Sequence, residues 1–409
     1  MSALVRPFRA LRPRPEHAAA VAAPPYDVVD TDEARALADG RPMSFLHVSR
    51  PEIDLPPGTD PHSGPVYERG AENLARLVES GVLVRDETPS FYVYRMSLDG
   101  HVQTGVACAA SVRAYEENRI RKHELTRPDK ENDRVRHIDA LNAQTGPVLL
   151  AYRSSERLRE LLAAASSGAP LIDADGPQNV RHSIWRVSDP ATVAELEREL
   201  NALGRLYIAD GHHRSAAAAR VAQARRSGDA DASHEHFLAV AFPHDEMRIL
   251  DYNRVISDLN DMTTAEFLER LGAEFQVRAA ERPVKPAARR TFGMYLDGTW
   301  YALALKSGAL PADPVGRLDV SLLQARVIAP LLGIADPRTD ARIAFVGGVR
   351  GLAELERLVD SGRAAVAFAL HPTSMEELMD VADAERLMPP KSTWFEPKLA
   401  DGLLSHVLD

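Results

Sequence analysis

At 409 residues with 45% hydrophobic side chains, the chain has the length for two or three domains and the composition of an ordinary globular protein. Its net charge of −10 excludes a general nucleic-acid coat and leaves room only for a local basic pocket, such as one for a nucleotide. The single cysteine, Cys108, excludes a disulfide framework within the chain and suits a reducing cytoplasm.

The stretch "MSALVRPFRALRPRPEHAAAV" is broken by Pro and Arg, so neither a signal peptide nor a membrane span is expected in it. "APPYDVVDTDEARALADG" predicts a rigid Pro-Pro turn and then a helix from Thr31. Tyr26 and Asp27 follow that turn as structural punctuation or as substrate contacts. Residues 65–80 fit a helix closed by Gly81. "SFYVYRMSLDGHVQTGVACAASVRAY" predicts a hairpin turning at Asp99-Gly100, with Cys108 a buried structural thiol in its second strand.

The polar "RKHELTRPDKENDR" is a loop directly after a strand, where functional groups are often mounted. His123-Glu124 is not the start of a zinc helix, because Arg127 stands where His-Glu-x-x-His needs its second His. A helix over about 131–143 and the strand "PVLLAY" come next. "DPATVAELERELNAL" then reads as a helix with Asp189 as cap and Pro190 at its first position.

"LYIADGHHRSAAAAR" joins an apolar strand to a helix-forming run through Asp210, Gly211, His212, His213 and Arg214. A helix start after a glycine turn offers free N–H groups and the positive end of the dipole, a setting that binds phosphate. Arg214 adds a two-pronged contact, and His212 or His213 a donor or proton carrier. The alternative is a helix capped by Asp210 with the His pair on the surface.

Beyond "HFLAVAF" and "MRILDYNRVI", the charged, Pro-punctuated "VRAAERPVKPAARR" around Lys285 reads as a linker. It divides a main domain, 1–276, from a C-terminal part, 292–409. That part shows a strand pair about Asp297-Gly298, a helix through "DVSLLQARVIAPLL", the strands "RIAFV" and "AAVAFAL", and a helix opened by Ser374 with Glu377 as a capping box. The glycines of "FVGGVRG" mark a tight turn. His371 ends a strand, and Lys391-Ser392-Thr393 resembles the tail of a phosphate loop without its glycines. The chain has six lysines among 49 basic residues, yet four of them fall in "IRKHELTRPDKENDR" and "MPPKSTWFEPK", so a specific role for Lys391 is considered.

In order and spacing, "PPYDVV", "YERGAENLARLVESGVLVRDETPSFYVYRM", "HELT", "DRVRHIDALNAQTGPVLLAY", "YIADGHHRSAAAA", "HPTSMEELMDVADA" and "MPPKSTWFEPKL" resemble the prokaryotic family domain of unknown function 1015 over nearly the whole chain. The "IADGHHRSAAA" turn is also similar to the Gly-x-x-Arg turn of the ParB and sulfiredoxin superfamily. That resemblance implies a mixed α/β, multi-lobed fold with a strand-turn-helix core that holds nucleotide phosphates, as in kinases of free serine. Sulfiredoxins carry a cysteine in this turn, where the present chain has His. The basic DNA-binding domain of ParB is also missing, so no nucleic-acid partner is expected.

Together these readings imply a cytoplasmic phosphotransferase moving a phosphoryl group between a nucleotide (ATP or ADP, with Mg²⁺) and the hydroxyl of a small metabolite. The catalytic candidates are Glu124 as base with His123 as its alternative, Asp210 and His213. Gly211, His212, Arg214 and Ser215 are the phosphate contacts. Lys391, Ser392, Thr393, His371, Tyr26 and Asp27 are the substrate contacts. The stretches around Glu124, Arg214 and Lys391 are expected to line one pocket, and Arg214→Ala to weaken nucleotide binding at nearly unchanged stability. The alternatives are a nucleotide-binding regulator without turnover and a phosphoester hydrolase. The metal ligands and the oligomeric state are left open.

Overall fold

The computed structural model describes residues 2–308 and 310–409, and its architecture is mixed α/β, as alternating apolar strands and capped helices predict. Internal contacts divide it into two units. The first is the chain up to Met247 together with Pro397–Asp409, and the second is Arg248–Glu396. This differs from a division in the Lys285 region, and the sheet explains why. Phe275–Ala280 and Thr291–Leu296, on either side of that stretch, both pair with Thr299–Leu305. The stretch is therefore a loop within one sheet, and it is packed: a Cβ on Gly293 would stand 2.1 Å from the Val284 carbonyl oxygen.

In the first unit a nine-stranded sheet runs in the order Ile120–Arg121, Leu206–Asp210, Val148–Tyr152, His236–Pro243, His101–Ser111, Phe91–Leu98, Arg181–Val187 and Ile172–Asp175, with Val5–Arg6 also paired to His101–Ser111. Val148–Tyr152 and His236–Pro243 are buried at every position and pair in parallel. They accordingly read as continuous apolar runs instead of alternating ones. Leu150, Ile208, Cys108 and Ala239 lie in the core beside these strands, and burial pushes the Cys108 thiol up to about 12, leaving it unreactive. The hairpin of Phe91–Leu98 and His101–Ser111 turns at Asp99 and Gly100, both at positive φ as its two-residue loop requires.

A second sheet of this unit orders Leu83–Arg85, Ala10–Pro13, Ser405–Val407 and Ala143–Gln144. The chain thus returns after residue 396 to place a strand in the middle of a sheet begun near residue 10. The expected helix over 131–143 is Pro128–Leu141. It stops because Asn142 takes a left-handed conformation and the chain turns into the strand Ala143–Gln144.

The second unit is a six-stranded antiparallel sheet, ordered Phe275–Ala280, Thr299–Leu305, Thr291–Leu296, Val366–Leu370, Tyr252–Ile256 and Ile343–Gly347. A ribbon pairs its first strand, Arg248–Leu250, with its last, Trp394–Glu396. No helix among the described residues is long and apolar enough to cross a membrane.

Candidate functional site

The strand Leu206–Asp210 ends one residue before the helix His212–Arg225, so the Asp210 to Arg214 segment is a strand-to-helix turn. The register against Val148–Tyr152 slips between Ile208 and Asp210, a bulge that re-aims the Asp210 side chain. Gly211 occupies the cap position at φ 98°, and no side chain caps the helix. The idea of Asp210 as cap therefore does not hold. Its Oδ2 instead receives Arg214 Nη2 at 3.1 Å and faces Lys398 Nζ at 3.7 Å. Burial would raise the Asp210 carboxyl, but Lys398 and Arg214 outweigh it and hold it well below the usual carboxylate range.

Arg214 is only 8% exposed. Its Nη1 donates to the Pro147 carbonyl, and its Nε is buried without a hydrogen-bond partner. Burial disfavours its charge, yet Asp210, Asp27, Tyr26 and Asp401 together keep it firmly protonated.

The two histidines part company. His212 is buried, with its Nδ1 4.0 Å from Glu124 Oε2 and its ring perpendicular to that of His123 at 4.5 Å between centroids. Burial, reinforced by His123, keeps His212 neutral. His213 is half-buried and accepts a hydrogen bond from Arg127 N at 3.0 Å. His123 follows the strand Ile120–Arg121, which pairs in parallel with Leu206–Asp210, so the two loops leave the same end of the sheet. Burial lowers His123 to about 4. Ser215 is fully buried and donates to the His212 carbonyl at 3.1 Å, which turns its hydroxyl away from any ligand at the helix start.

On the other side of Arg214 a small cleft is lined by Tyr26, Ser49, Arg134, His137, Arg214 and Asp401. The Arg134 guanidinium lies 3.8 Å over the Tyr26 ring and pairs with Asp133 at 2.6 Å. Asp27, next to Tyr26, is exposed and acts on both Arg214 and Asp401 through its charge. Asp401 is 2% exposed with Oδ1 unpartnered, and burial raises its carboxyl to about 7. Two guanidiniums and a carboxyl titrating near neutrality suit a small anion and a proton transfer.

Arg134 and Lys398 lie in stretches singled out above, but neither was assigned a role, and nothing in "KLADGLLS" marks Asp401. Lys398 is a lysine of that stretch that meets the turn. Lys391, Ser392, Thr393 and His371 belong to the second unit. There Lys391 Nζ stands 5.8 Å from the Tyr252 ring centre, Ser392 Oγ donates to Pro389 O at 2.6 Å and Thr373 Oγ1 to Ser392 O at 2.9 Å. His371 Nδ1 is 3.0 Å from Pro372 O.

The family model described as "Protein of unknown function (DUF1015)" matches residues 5–321. The chain belongs to this family. The matched residues include the Glu124 loop and the whole Asp210 to Arg214 turn, so the geometry above sits within the DUF1015 region, whereas Lys398 and Asp401 lie beyond it. No curated protein matches the chain. Among solved structures it is similar to a conserved hypothetical protein from Pyrococcus furiosus (14% identity, TM-score 0.34, 73% of this chain and 94% of that one). It is similar also to a free serine kinase in complex with AMP (13%, 0.34, 71% and 86%) and to SbnI with a C-terminal truncation from Staphylococcus aureus (12%, 0.37, 72% and 85%). Likeness at these TM-scores bears on neither site nor reaction.

Proposed function

We propose that this DUF1015 protein is a phosphotransferase that moves a phosphoryl group between a nucleotide and the hydroxyl of a small metabolite, free serine being the first acceptor to try. The observation that carries this reading is the helix start behind Gly211, which no side chain caps. Such an end offers N–H groups and a positive dipole to a phosphate. Arg214 places a second positive group beside it, although Asp210 and the Pro147 carbonyl already hold that guanidinium.

Glu124 is the candidate base for the acceptor hydroxyl, with His123 the alternative. Glu124 is 46% exposed at its side chain and faces His212, so it can reach a substrate. Asp210 is engaged by Arg214 and Lys398 and orients Arg214 instead of touching substrate. A magnesium ion arriving with the nucleotide would take most of its ligands from the phosphates and water, with Glu124 the carboxylate able to join them. The reading also takes the protein as cytoplasmic, in keeping with its one buried thiol, and as acting on small molecules without a nucleic-acid partner.

Phosphorus NMR of the protein with ATP or ADP, Mg²⁺ and L-serine or small hydroxy acids tests this. A new phosphomonoester resonance that requires the acceptor is the expected result. Tight nucleotide binding with no turnover across the panel makes the protein a regulator, and inorganic phosphate without acceptor makes it a hydrolase.

A further inference from the structure

We propose that His123, Glu124 and His212 form a binding site for one divalent transition-metal ion. One ligand atom from each of the three lies within 4.8 Å of the other two. Two adjacent parallel strands deliver them: Leu206 pairs with Ile120 and Tyr207 with Arg121, and both chains then run out of the sheet at the same end. Ligands mounted just past strand ends are held more firmly than ligands on long loops.

His123 supplies the independent observation. It is 2% exposed, and neither ring nitrogen makes a hydrogen bond of ordinary geometry, the Ile208 backbone lying only near enough to oppose part of the effect of burial. A histidine packed only for its shape normally turns one nitrogen to a carbonyl or a water, because a buried polar atom left unsatisfied costs about 1–3 kcal/mol. A metal ion held jointly with His212 and Glu124 removes that cost. The contact from His123 N to His212 Nε2 is 3.4 Å, at the edge of a hydrogen bond, so little holds the His212 ring against turning either nitrogen to an ion.

The donor set names the class of ion. Two imidazoles and one carboxylate suit Zn²⁺, Co²⁺ and their neighbours and suit Mg²⁺ or Ca²⁺ poorly. Three protein ligands also leave a position open, and a water or hydroxyl bound there would lose its proton more readily. The His-Glu pair is thus completed by a residue from a distant turn, which a search for a His-Glu-x-x-His helix does not find.

The inference stands apart from phosphoryl transfer, because metal binding is read with no nucleotide present. The full-length protein is stripped with a chelator and titrated with Co²⁺, followed by visible absorption and calorimetry, with Zn²⁺ as competitor. The expected result is one Co²⁺ per chain, displaced by Zn²⁺. Glu124→Gln and His212→Gln should each weaken binding by at least roughly tenfold, while His101→Gln, whose ring meets Gln103 in the hairpin, binds as the parent does. If His212→Gln does not fold, the half-exposed Glu124 decides alone. Absence of stoichiometric binding, or equal affinity in Glu124→Gln and the parent, overturns the site.

Discussion

Arg214 meets Asp210 at 3.1 Å while itself only 8% exposed, so Arg214→Ala strips a carboxylate of its hydrogen-bonding partner. Breaking a fully buried pair from one side costs about 3–5 kcal/mol, but the Asp210 side chain is 32% exposed and Lys398 still stands 3.7 Å from it, so the loss falls below that range, at about 1–3 kcal/mol. A urea melt should register it, contrary to the expectation of unchanged stability from sequence alone. Asp401 gives the opposite kind of signal. Burial raises its carboxyl, Arg214 and Arg134 pulling against it and Asp27 with it, to about 7, whereas an unfolded aspartate titrates near ~3.9. Between those values the folded chain binds the extra proton, so this group's contribution to stability falls as pH rises through the window, by about 4 kcal/mol in all. Asp401→Asn should flatten that slope and be the more stable protein at pH 8; parallel stability curves for the two proteins would dismiss the assignment. The DGHHR turn was legible because Gly, His and Arg crowd between a strand and a helix former. Asp401 was not, since a lone aspartate acquires its meaning only from the arginines folded against it.

The turn as an element depends on Gly211. A Cβ there would sit 3.0 Å from Arg214 Nε in a backbone at φ 98°, and a left-handed residue with a side chain costs about 1–2 kcal/mol before any clash. Gly211→Ala should therefore lower stability by about 1–3 kcal/mol and speed hydrogen exchange at Ser215 N, which bonds the Gly211 carbonyl. Unchanged exchange would show that the turn tolerates other shapes. Elements with local chemical signals were readable in advance. Asp189 caps Pro190–Ala202, and Ser374 with Glu377 forms the capping box of Met375–Asp383. The run expected as one helix through 319–332 is instead the helix Asp319–Leu323 followed by a wider turn, Gln324–Ile328, where Ala329 N bonds Gln324 O. Pro330 accounts for this, having no N–H and crowding the carbonyl four residues back. Apolar spacing alone could not reveal it.

For the molecule as a whole, composition pointed to a linker near Lys285, but a Pro-rich loop between two strands of one sheet has the same composition as a connection between units. The real crossings, beside Met247 and Glu396, carry no such mark because they fall at the ends of the ribbon that pairs Arg248–Leu250 with Trp394–Glu396. Seen from the first unit, the second is a loop of 149 residues, and Lys398 and Asp401 can reach the turn only if that loop closes. While the ribbon is formed, its two ends are one strand spacing apart and closure is already accomplished. Melting the second unit, for instance by Leu355→Asp in its core, releases a free loop more than five doublings longer than a tight turn, an entropy worth about 3 kcal/mol. Amides of Val148–Tyr152 and His236–Pro243 should then lose roughly a hundredfold in exchange protection, and a short loop replacing Arg248–Glu396 should restore it; protection unmoved by the melt would show that closure contributes nothing. The ribbon is in this sense an entropic clasp, through which the folding of one unit sets the effective concentration of Lys398 and Asp401 at the turn of the other.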